Sequence, residues 1–366
     1  MIKNIKYLSQ KNTMDLPLLV TVLILIGFGL VMVYDVSPVQ ALRDAGDSNF
    51  YIRQQLIWAS IGILSMVFFS QIDYRILKKF STPALVGSFV LMLAVLIPSF
   101  GFSGGGAQRW LQLGPVTFQP AEFMKLTGII FLSTVFTKGS RFFPLLTLCF
   151  MVTAVTAILQ RDLGSTIIFV FSSSILYLAS GGAIWHFLVA LPLSLAAISV
   201  LIFTSPYRVQ RILAFLDPFQ DTQGFTYHIS QVLIALGSGG LLGLGLGHSR
   251  QKFEYIPEVT TDSIFGVVGE EFGFLGGATL VILFAILVLR GIKISQQCSD
   301  NFGRILAIGL TSWLGVQTVI NLSSMVALLP LTGVPLPFIS YGGSALVANL
   351  TAVGILLNIS KQNSSA

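Results

Sequence analysis

The chain has 366 residues, of which 54% are hydrophobic and only 10% are charged, and its formal net charge is +6. Soluble domains carry about 25% charged residues, so this composition excludes a soluble globular protein and indicates an integral membrane protein. The basic residues are scattered through short loops and form no patch, which favours the membrane surface over nucleic acid as their partner.

Ten apolar runs are long enough to cross about 30 Å of hydrocarbon as helices. They lie near residues 16–34, 54–70, 82–98, 121–137, 144–160, 163–180, 185–203, 263–290, 305–329 and 338–358. The first run is longer than the core of a signal peptide and no small-residue cleavage site follows it, so it is expected to be an uncleaved span. The sequence therefore predicts an all-α polytopic membrane protein with ten transmembrane helices, forming a single integral membrane domain over residues 1–366.

Loop charges predict the orientation of these spans. An even number of spans places both termini on one side, and most basic loop residues fall on that side, at Lys3, Lys6, Lys11, Arg75, Lys78, Lys79, Lys138, Arg141, Arg290, Lys293, Arg304 and Lys361. The short loops opposite carry Arg43, Arg53, Arg109 and Arg161. The positive-inside rule then predicts cytoplasmic N- and C-termini and a large extracytoplasmic loop, residues 204–262, between helices 7 and 8.

This extracytoplasmic loop collects ionisable groups, which membrane proteins usually keep for chemistry or transport. They are Arg208, Arg211, Asp217, Asp221, Arg250, Lys252, Glu254, Glu258 and Asp262. Glu254, Glu258 and Asp262 recur every four residues, although Pro257 argues against one unbroken helix through all three. Asp262 stands directly before the eighth span, where two compatible roles are open: capping that helix, or acting as a base whose pKa is raised by partial desolvation.

A second polar constellation follows the third span, in Gly104-Gly-Gly-Ala-Gln-Arg-Trp110 and Gln119-Pro-Ala-Glu-Phe-Met-Lys125. Arg109 and Lys125 could hold phosphate, with Glu122 fixing Lys125 from one turn away. The alternative is a snorkelling lysine and an interfacial Arg-Trp anchor. Because Glu122 and Lys125 stand inside an otherwise apolar helix start, the functional interpretation is favoured.

Two further features have a structural interpretation. Glu270 and Glu271 lie about two turns inside the eighth span, where a structural ion pair is favoured over direct participation in chemistry. The glycine-rich run 237–247 lacks the Gly-Lys-Ser/Thr ending of a phosphate-binding P-loop. Close backbone packing or a re-entrant turn is therefore its expected role.

Taken together, these segments resemble the shape, elongation, division and sporulation (SEDS) family of RodA/FtsW-type peptidoglycan glycosyltransferases. The resemblance covers nearly the whole chain, through Ala107-Gln-Arg-Trp-Leu111, Gln119-Pro-Ala-Glu122, Asp162-Leu-Gly-Ser165, Tyr207 to Asp217, Tyr227-His-Ile-Ser-Gln231, Ile256 to Glu271, and Pro330 to Ala345. It implies ten spans, cytoplasmic termini and an essential aspartate matching Asp262. Ser249-Arg-Gln-Lys252 is closer to the division branch than to the elongation branch, and Arg161 stands where proline is common.

The resemblance leads to a functional hypothesis: a glycosyltransferase of the bacterial cytoplasmic membrane that polymerises lipid II on the outer face. Asp262 would act as general base on the 4-hydroxyl of the acceptor sugar, and undecaprenyl pyrophosphate would leave with inversion at the anomeric carbon. A pyrophosphate leaving group needs cations more than a proton. The residues expected to bind the substrates are Arg109, Glu122, Lys125, Arg208, Arg211, Lys252, Glu254 and Glu258.

The sequence requires no cofactor, and the cysteines, Cys149 and Cys298, suggest no zinc site. A divalent cation, Mg²⁺ or Mn²⁺, could share the phosphate, but no carboxylate-rich site is legible. The expected partners are lipid II, glycan linked to undecaprenyl pyrophosphate, a class B penicillin-binding transpeptidase and other division or elongation membrane proteins. Two alternatives stay open: a lipid II flippase, since buried acids such as Glu270 suit transport too, and a noncatalytic scaffold for the transpeptidase.

Overall fold

A computed structural model describes residues 14–98, 101–104, 107–113, 116–203, 206–217, 224–253 and 255–362. Within them the chain is mainly helical and carries one small antiparallel sheet of order β1-β2-β3. The helices are α1 Leu16–Val36, α2 Pro38–Ala45, α3 Phe50–Gln71, α4 Arg75–Ala94, α5 Pro120–Phe136, α6 Phe142–Thr153, α7 Leu163–Ala179, α8 Trp185–Phe203, α9 Pro206–Leu216, α10 Gly224–Ser238, α11 Ile264–Gln297, α12 Asn301–Met325 and α13 Gly343–Gln362. The strands are β1 Gly101–Gly104, β2 Ala107–Leu113 and β3 Val116–Phe118, and a π-helical segment, Ala154–Leu159, continues α6.

The all-α polytopic class is confirmed, since each of the ten predicted apolar runs overlaps a helix. Seven helices in the described part of the chain are long and apolar enough to cross a membrane: α1, α3, α4, α6 with its π-helical continuation, α11, α12 and α13. Helix α7 is apolar but has only 17 residues. The count of ten spans is not confirmed by this criterion and stays a prediction.

Two segments expected as loops contain regular structure. The loop after the third span forms the three-stranded sheet, in which Phe102 pairs with Trp110 and Leu111 with Phe118. Antiparallel pairing satisfies the backbone groups of a segment that has left the helix bundle. The 204–262 segment contains α9 and α10, and these helices place Arg208, Arg211 and His228 against the bundle.

Helix α13 forms the centre of the bundle, and its residues from Gly343 to Ser360 are all buried. Helix α3 packs along it, with Ser65 Oγ 2.6 Å from Thr351 Oγ1. Near the end of α13, the Asn358 side chain accepts a hydrogen bond from Tyr74 N at 3.0 Å. The helix that hydropathy alone would place in lipid is thus surrounded by protein.

Polar contacts bring the start of α1, the α3–α4 turn, the α11–α12 turn and the end of α13 together at one end of the bundle. We call this the terminal end. Asp15 Oδ2 lies 2.6 Å from Arg290 Nη2. Lys361 Nζ donates to Ser70 O at 3.0 Å. Because α11 runs from residue 264 to residue 297, Asp262 lies at the opposite end, as the sequence predicted; which end faces the cytoplasm stays a prediction.

Helix α11 is broken at Gly273, whose φ of 64° and ψ of −164° lie outside the helical region. Such a break frees backbone groups that must find partners inside a membrane. The glycine-rich run supplies them through four N···O hydrogen bonds of 2.9–3.1 Å. These bonds run from Leu244 to Glu270, Gly245 to Glu271, Phe274 to Gly240 and Leu275 to Leu241. The run thus packs its backbone against a broken helix, as its structural interpretation predicted.

Candidate active site around Asp262

Asp262 lies in the turn before α11, and its residue is only 7% exposed. Its backbone carbonyl accepts a hydrogen bond of 2.9 Å from Asn321 Nδ2 of α12. The same Asn321 nitrogen donates to Val334 O at 2.7 Å, so one amide ties the Asp262 turn to the proline-rich segment 330–342. Position 263, not 262, is the N-cap of α11, and the capping role considered for Asp262 therefore has no support in the structure.

Burial raises the pKa of the Asp262 carboxyl from 3.8 to about 6, because water no longer stabilises the charge. The positive charge of Arg211 opposes this rise, as do hydrogen bonds from Thr261 and Ser263. A carboxyl with this pKa is mostly ionised at neutral pH yet more basic than an ordinary aspartate. That combination is what a general base requires.

Arg211 and Gly333 form the wall beside Asp262. Arg211 Nη1, from α9, donates to Leu331 O at 3.0 Å. Gly333 has a φ of +67°, and a Cβ atom added there would lie 3.7 Å from Arg211 Nη2 and 3.9 Å from Asp262 Oδ2. The missing side chain of Gly333 therefore keeps space open between the arginine and the carboxylate.

Three further arginines come together from three chain segments. Arg109 Nη2, from β2, donates to the Arg161 carbonyl at 3.1 Å. Arg208 Nη2, from α9, donates to Ala157 O at 2.7 Å. Burial, and then the positive charge of Arg161, lower the pKa of Arg208. We refer to Arg109, Arg161 and Arg208 as the arginine cluster, and such a concentration of positive charge attracts polyphosphate.

Arg161 was not predicted as a site residue, because sequence analysis considered it only as a loop charge that helps to orient the spans. Its φ is +58°, a conformation that non-glycine residues rarely adopt and that proline, with φ fixed near −65°, cannot adopt. The presence of arginine where proline is common was the signal available in the sequence. Just beyond it, α7 begins with Asp162 accepting from Ser165 N at 3.1 Å.

Lys125 and Glu122 pair as predicted, but they do so inside the bundle. Their Nζ and Oε1 atoms are 2.8 Å apart, and each residue is 1% exposed. Lys125 Nζ also donates to Gln317 Oε1 at 2.9 Å and lies 5.4 Å from the centre of the Trp313 ring. Because Gln317 Nε2 donates to Pro335 O at 3.0 Å, this pair supports the proline-rich segment instead of meeting solvent.

Lys252 is held by two acids away from the Asp262 turn. Its Nζ lies 2.8 Å from Asp35 Oδ1 and 3.0 Å from Glu271 Oε1. Glu270 and Glu271 also accept hydrogen bonds from the adjoining chain, at Ser249 N, Ser249 Oγ, Arg250 N and Gln251 N. The structural ion pair favoured for these acids is therefore present at Glu271, whereas Glu270 accepts from the Ser249 hydroxyl and two backbone N–H groups.

The four-residue spacing of the acids before α11 does not fall on a helix, because residues 255–263 form turns. Glu258 is exposed, has a φ of +50°, and accepts hydrogen bonds of 3.1 Å from Thr261 Oγ1. Pro257 and this left-handed residue together prevent the helix. Glu254 lies outside the described residues.

His228 is a site residue to which the sequence assigned no role. On α10 it bonds to the Ser263 hydroxyl, next to Asp262. Burial lowers the pKa of His228 to about 4, against the opposing charge of Glu258, so the imidazole is neutral at physiological pH. Its place in the motif Tyr227-His-Ile-Ser-Gln231 was the available signal.

The described residues contain no group of three or more His, Cys, Asp or Glu side chains that could hold a metal ion. A divalent cation would therefore have to take most of its ligands from substrate phosphates and water, as Mg²⁺ commonly does. Two pockets among the described residues lie away from Asp262. One, of about 230 Å³, adjoins Asp35 and Lys252, and the other lies near the terminal end.

The fold and the site together define a class of protein: a multi-pass membrane protein with a broken helix in its bundle. Its polar site, formed by a buried carboxylate and the arginine cluster, lies at one end of the bundle. The chain belongs to the FtsW/RodA/SpoVE family, described as "Cell cycle protein", whose model matches residues 16–365.

Among its relatives, stage V sporulation protein E of Bacillus subtilis (strain 168) is 39% identical over 363 residues, covering 96% of this chain and 98% of that protein. A probable peptidoglycan glycosyltransferase FtsW of Geobacter sp. (strain M18) is 38% identical over 354 residues, covering 94% and 96%. Among solved structures, a chain of a peptidoglycan synthase complex has a TM-score of 0.77 at 26% identity, covering 96% of this chain and 98% of that one. Thermus thermophilus RodA has a TM-score of 0.71 at 26% identity, with the same coverage.

Proposed function

We propose that the protein is a peptidoglycan glycosyltransferase that polymerises lipid II, with Asp262 as its general base. Family membership and the FtsW relatives support the reaction class. The main support for Asp262 as general base is its buried carboxylate, which has a pKa of about 6 and lies beside a space bounded by Arg211 and Gly333. A sugar hydroxyl entering that space would meet a base and a cation together.

In the proposed reaction, Asp262 accepts the proton of the acceptor 4-hydroxyl as its oxygen attacks the anomeric carbon of the growing glycan. The bond from that carbon to undecaprenyl pyrophosphate breaks, and its electron pair leaves with the pyrophosphate oxygen. Attack opposite the leaving group inverts the anomeric configuration. The proton ends on Asp262, whose pKa of about 6 lets it return to water at neutral pH.

The leaving pyrophosphate is assigned to the arginine cluster. The contacts among Arg109, Arg161 and Arg208 concentrate positive charge in one place, and in the proposed reaction this charge stabilises the negative charge that develops on the leaving phosphate. Lys125 and Lys252 act differently from the sequence hypothesis, since carboxylates already hold both ammonium groups. They position the proline-rich segment and the 249–252 segment, respectively.

The proposal places this site on the outer face of the bacterial cytoplasmic membrane, with both termini cytoplasmic. Loop charges support that orientation. Similarity to a chain of a peptidoglycan synthase complex supports a partner that crosslinks the polymer. A class B penicillin-binding transpeptidase is the partner we propose, together with other membrane proteins of division or elongation.

The direct test is polymerisation of labelled lipid II by purified protein and transpeptidase in detergent, with polymer measured on gels. Asp262→Asn should lower the rate by about 10²–10⁴-fold, the usual contribution of a positioned general base. Asp47→Asn, which removes an exposed carboxylate paired with Arg53, is the matched control and should polymerise normally. Full activity in a folded Asp262→Asn protein would exclude the proposed base.

The same assay separates the alternatives. Detergent micelles have no leaflets, so a flippase would yield no polymer there. A noncatalytic scaffold would keep the complex active when charges at Asp262, Arg109 and Arg208 are neutralised. The glycosyltransferase proposal expects polymer from the wild type and its loss in all three variants.

A further inference from the structure

A pocket of about 190 Å³ lies toward the terminal end of the bundle, away from Asp262. Residues of α4, α5, α6 and the α5–α6 turn line it: Ser81, Thr82, Phe131, Thr134, Val135, Lys138, Arg141 and Pro144. Helix α4 begins at Arg75, beside the Tyr74 contact with the end of α13, so the pocket lies near the terminal end of the bundle as defined above. It shares no residue with the proposed active site.

The charge of this pocket is entirely positive. Lys138 and Arg141 are exposed, and among the described residues neither forms an ion pair. None of the lining residues is acidic. Two unneutralised cations facing one cavity favour an anion, and a phosphodiester at a membrane surface is the anion that such basic pockets between helices meet.

The hydroxyl groups of the pocket add a second preference. Ser81 Oγ and Thr134 Oγ1 each donate to a carbonyl oxygen of their own helix, at 3.0 Å and 2.9 Å. A hydroxyl that has used its proton can only accept a further hydrogen bond. The pocket therefore offers acceptors to a ligand that carries hydroxyl donors next to its phosphate.

The turn that carries the two cations is anchored. Gly139 has a φ of +115°, and the Ser140 hydroxyl bonds to the backbone carbonyl of Ser180 in the α7–α8 turn. The neighbouring apolar side chains Phe80 and Phe143 are 60% and 75% exposed. The cations are thus held between a fixed turn and an apolar surface suited to acyl chains.

We propose that this pocket binds the headgroup of phosphatidylglycerol. The phosphate lies between Lys138 and Arg141, and the glycerol hydroxyls donate to Ser81 and Thr134. Ligand pockets for drug-sized molecules are about 300–1,000 Å³, so this smaller pocket admits the headgroup while the acyl chains stay outside along Phe143. Phosphatidylethanolamine lacks the net negative charge that two cations select.

Native mass spectrometry of the full-length protein in detergent tests the proposal. Wild type should retain one phosphatidylglycerol per chain in preference to phosphatidylcholine with the same acyl chains. The Lys138→Gln/Arg141→Gln variant should bind phosphatidylglycerol about 30-fold more weakly, because each basic side chain near anionic lipid contributes roughly fivefold. The Lys79→Gln/Lys293→Gln variant removes the same charge from exposed positions outside the pocket and should keep wild-type affinity. The proposed site would be refuted if both variants lost the same affinity for phosphatidylglycerol, or if wild type retained the two lipids equally.

Two further measurements identify which part of the lipid the pocket recognises. Millimolar inorganic phosphate should leave the lipid adduct intact, and its displacement by phosphate would reassign the pocket to a soluble anion. Phosphatidylmethanol supplies the same singly charged phosphodiester without the headgroup hydroxyls, so wild type should prefer phosphatidylglycerol over it. A Ser81→Ala/Thr134→Val variant should lose that preference, and retention of the preference would refute the role of the hydroxyls.

Discussion

Replacing the Asp262 carboxyl with an amide should make the folded protein more stable at neutral pH while it removes activity. The pKa of this carboxyl is about 6 in the folded protein and 3.8 for an ordinary aspartate. This difference corresponds to about 3 kcal/mol by which ionisation disfavours the folded state. The folded protein binds the proton more tightly, so this destabilisation is absent below pH 3.8 and complete above about pH 6.

The assay is thermal unfolding of purified wild type and Asp262→Asn in detergent at pH 7.5 and pH 4.5. At pH 7.5 the Asn variant should have a Tm several degrees above wild type, and at pH 4.5 the difference should shrink to a fraction of that value. Asp162→Asn is the control, because Asp162 is also buried but caps α7 through Ser165 N, and asparagine caps about as well as aspartate. A lower Tm for Asp262→Asn at pH 7.5 would show that its carboxylate is stabilised in the fold, and the proposed origin of its basicity would be wrong.

Three other perturbations test separate parts of the site. The polymerisation rate should be half-maximal at about pH 6, where Asp262 titrates, and Arg211→Gln should move this midpoint to higher pH because the arginine lowers the pKa of Asp262. Lys125→Met should reduce stability by about 3–5 kcal/mol in thermal or denaturant unfolding, because it leaves Glu122 buried and unpaired; Lys125→Met combined with Glu122→Gln should recover most of the loss. Gly333→Ala should lower the polymerisation rate at least tenfold in a folded protein, because its Cβ enters the space between Arg211 and Asp262 and its φ of +67° disfavours alanine.

Three results would contradict these predictions. An unchanged pH profile in Arg211→Gln would mean that its charge does not act on the base. If Lys125→Met were as stable as wild type, the Glu122–Lys125 pair would not support the fold. Wild-type polymerisation by Gly333→Ala would show that the space beside Gly333 is not used by substrate.

The sequence predicted the helices well because an apolar run of about 20 residues has essentially one stable form in lipid. It did not predict the sheet at residues 101–118, where glycine-rich strands lack a clear alternation of apolar and polar residues. The break at Gly273 was also unpredictable, because glycine is common in membrane helices. The break is stabilised by bonds to residues 240–245, about 30 residues away in the chain.

Within the site, local pairs were predictable and distant ones were not. The Glu122–Lys125 pair follows from a three-residue helical spacing. The position of Asp262 at the start of a span followed from hydropathy. Its neighbours Arg211, Asn321 and Gly333 lie about 50 to 70 residues away along the chain, and no periodic pattern in a single sequence connects them.

The arrangement around Asp262 separates positioning from reactivity. Strong polar contacts hold its backbone, since Asn321 binds its carbonyl at 2.9 Å and His228 binds the adjacent Ser263 hydroxyl. The contact from Thr261 Oγ1 to the Asp262 carboxylate is much weaker, at 3.4 Å. A carboxylate that is fixed through its main chain but poorly satisfied at its oxygens costs the fold stability and retains its affinity for a proton. Stronger hydrogen bonds to the carboxylate would lower the pKa of Asp262 and weaken it as a base, so the stability lost at this residue is the source of the basicity that the proposed reaction uses.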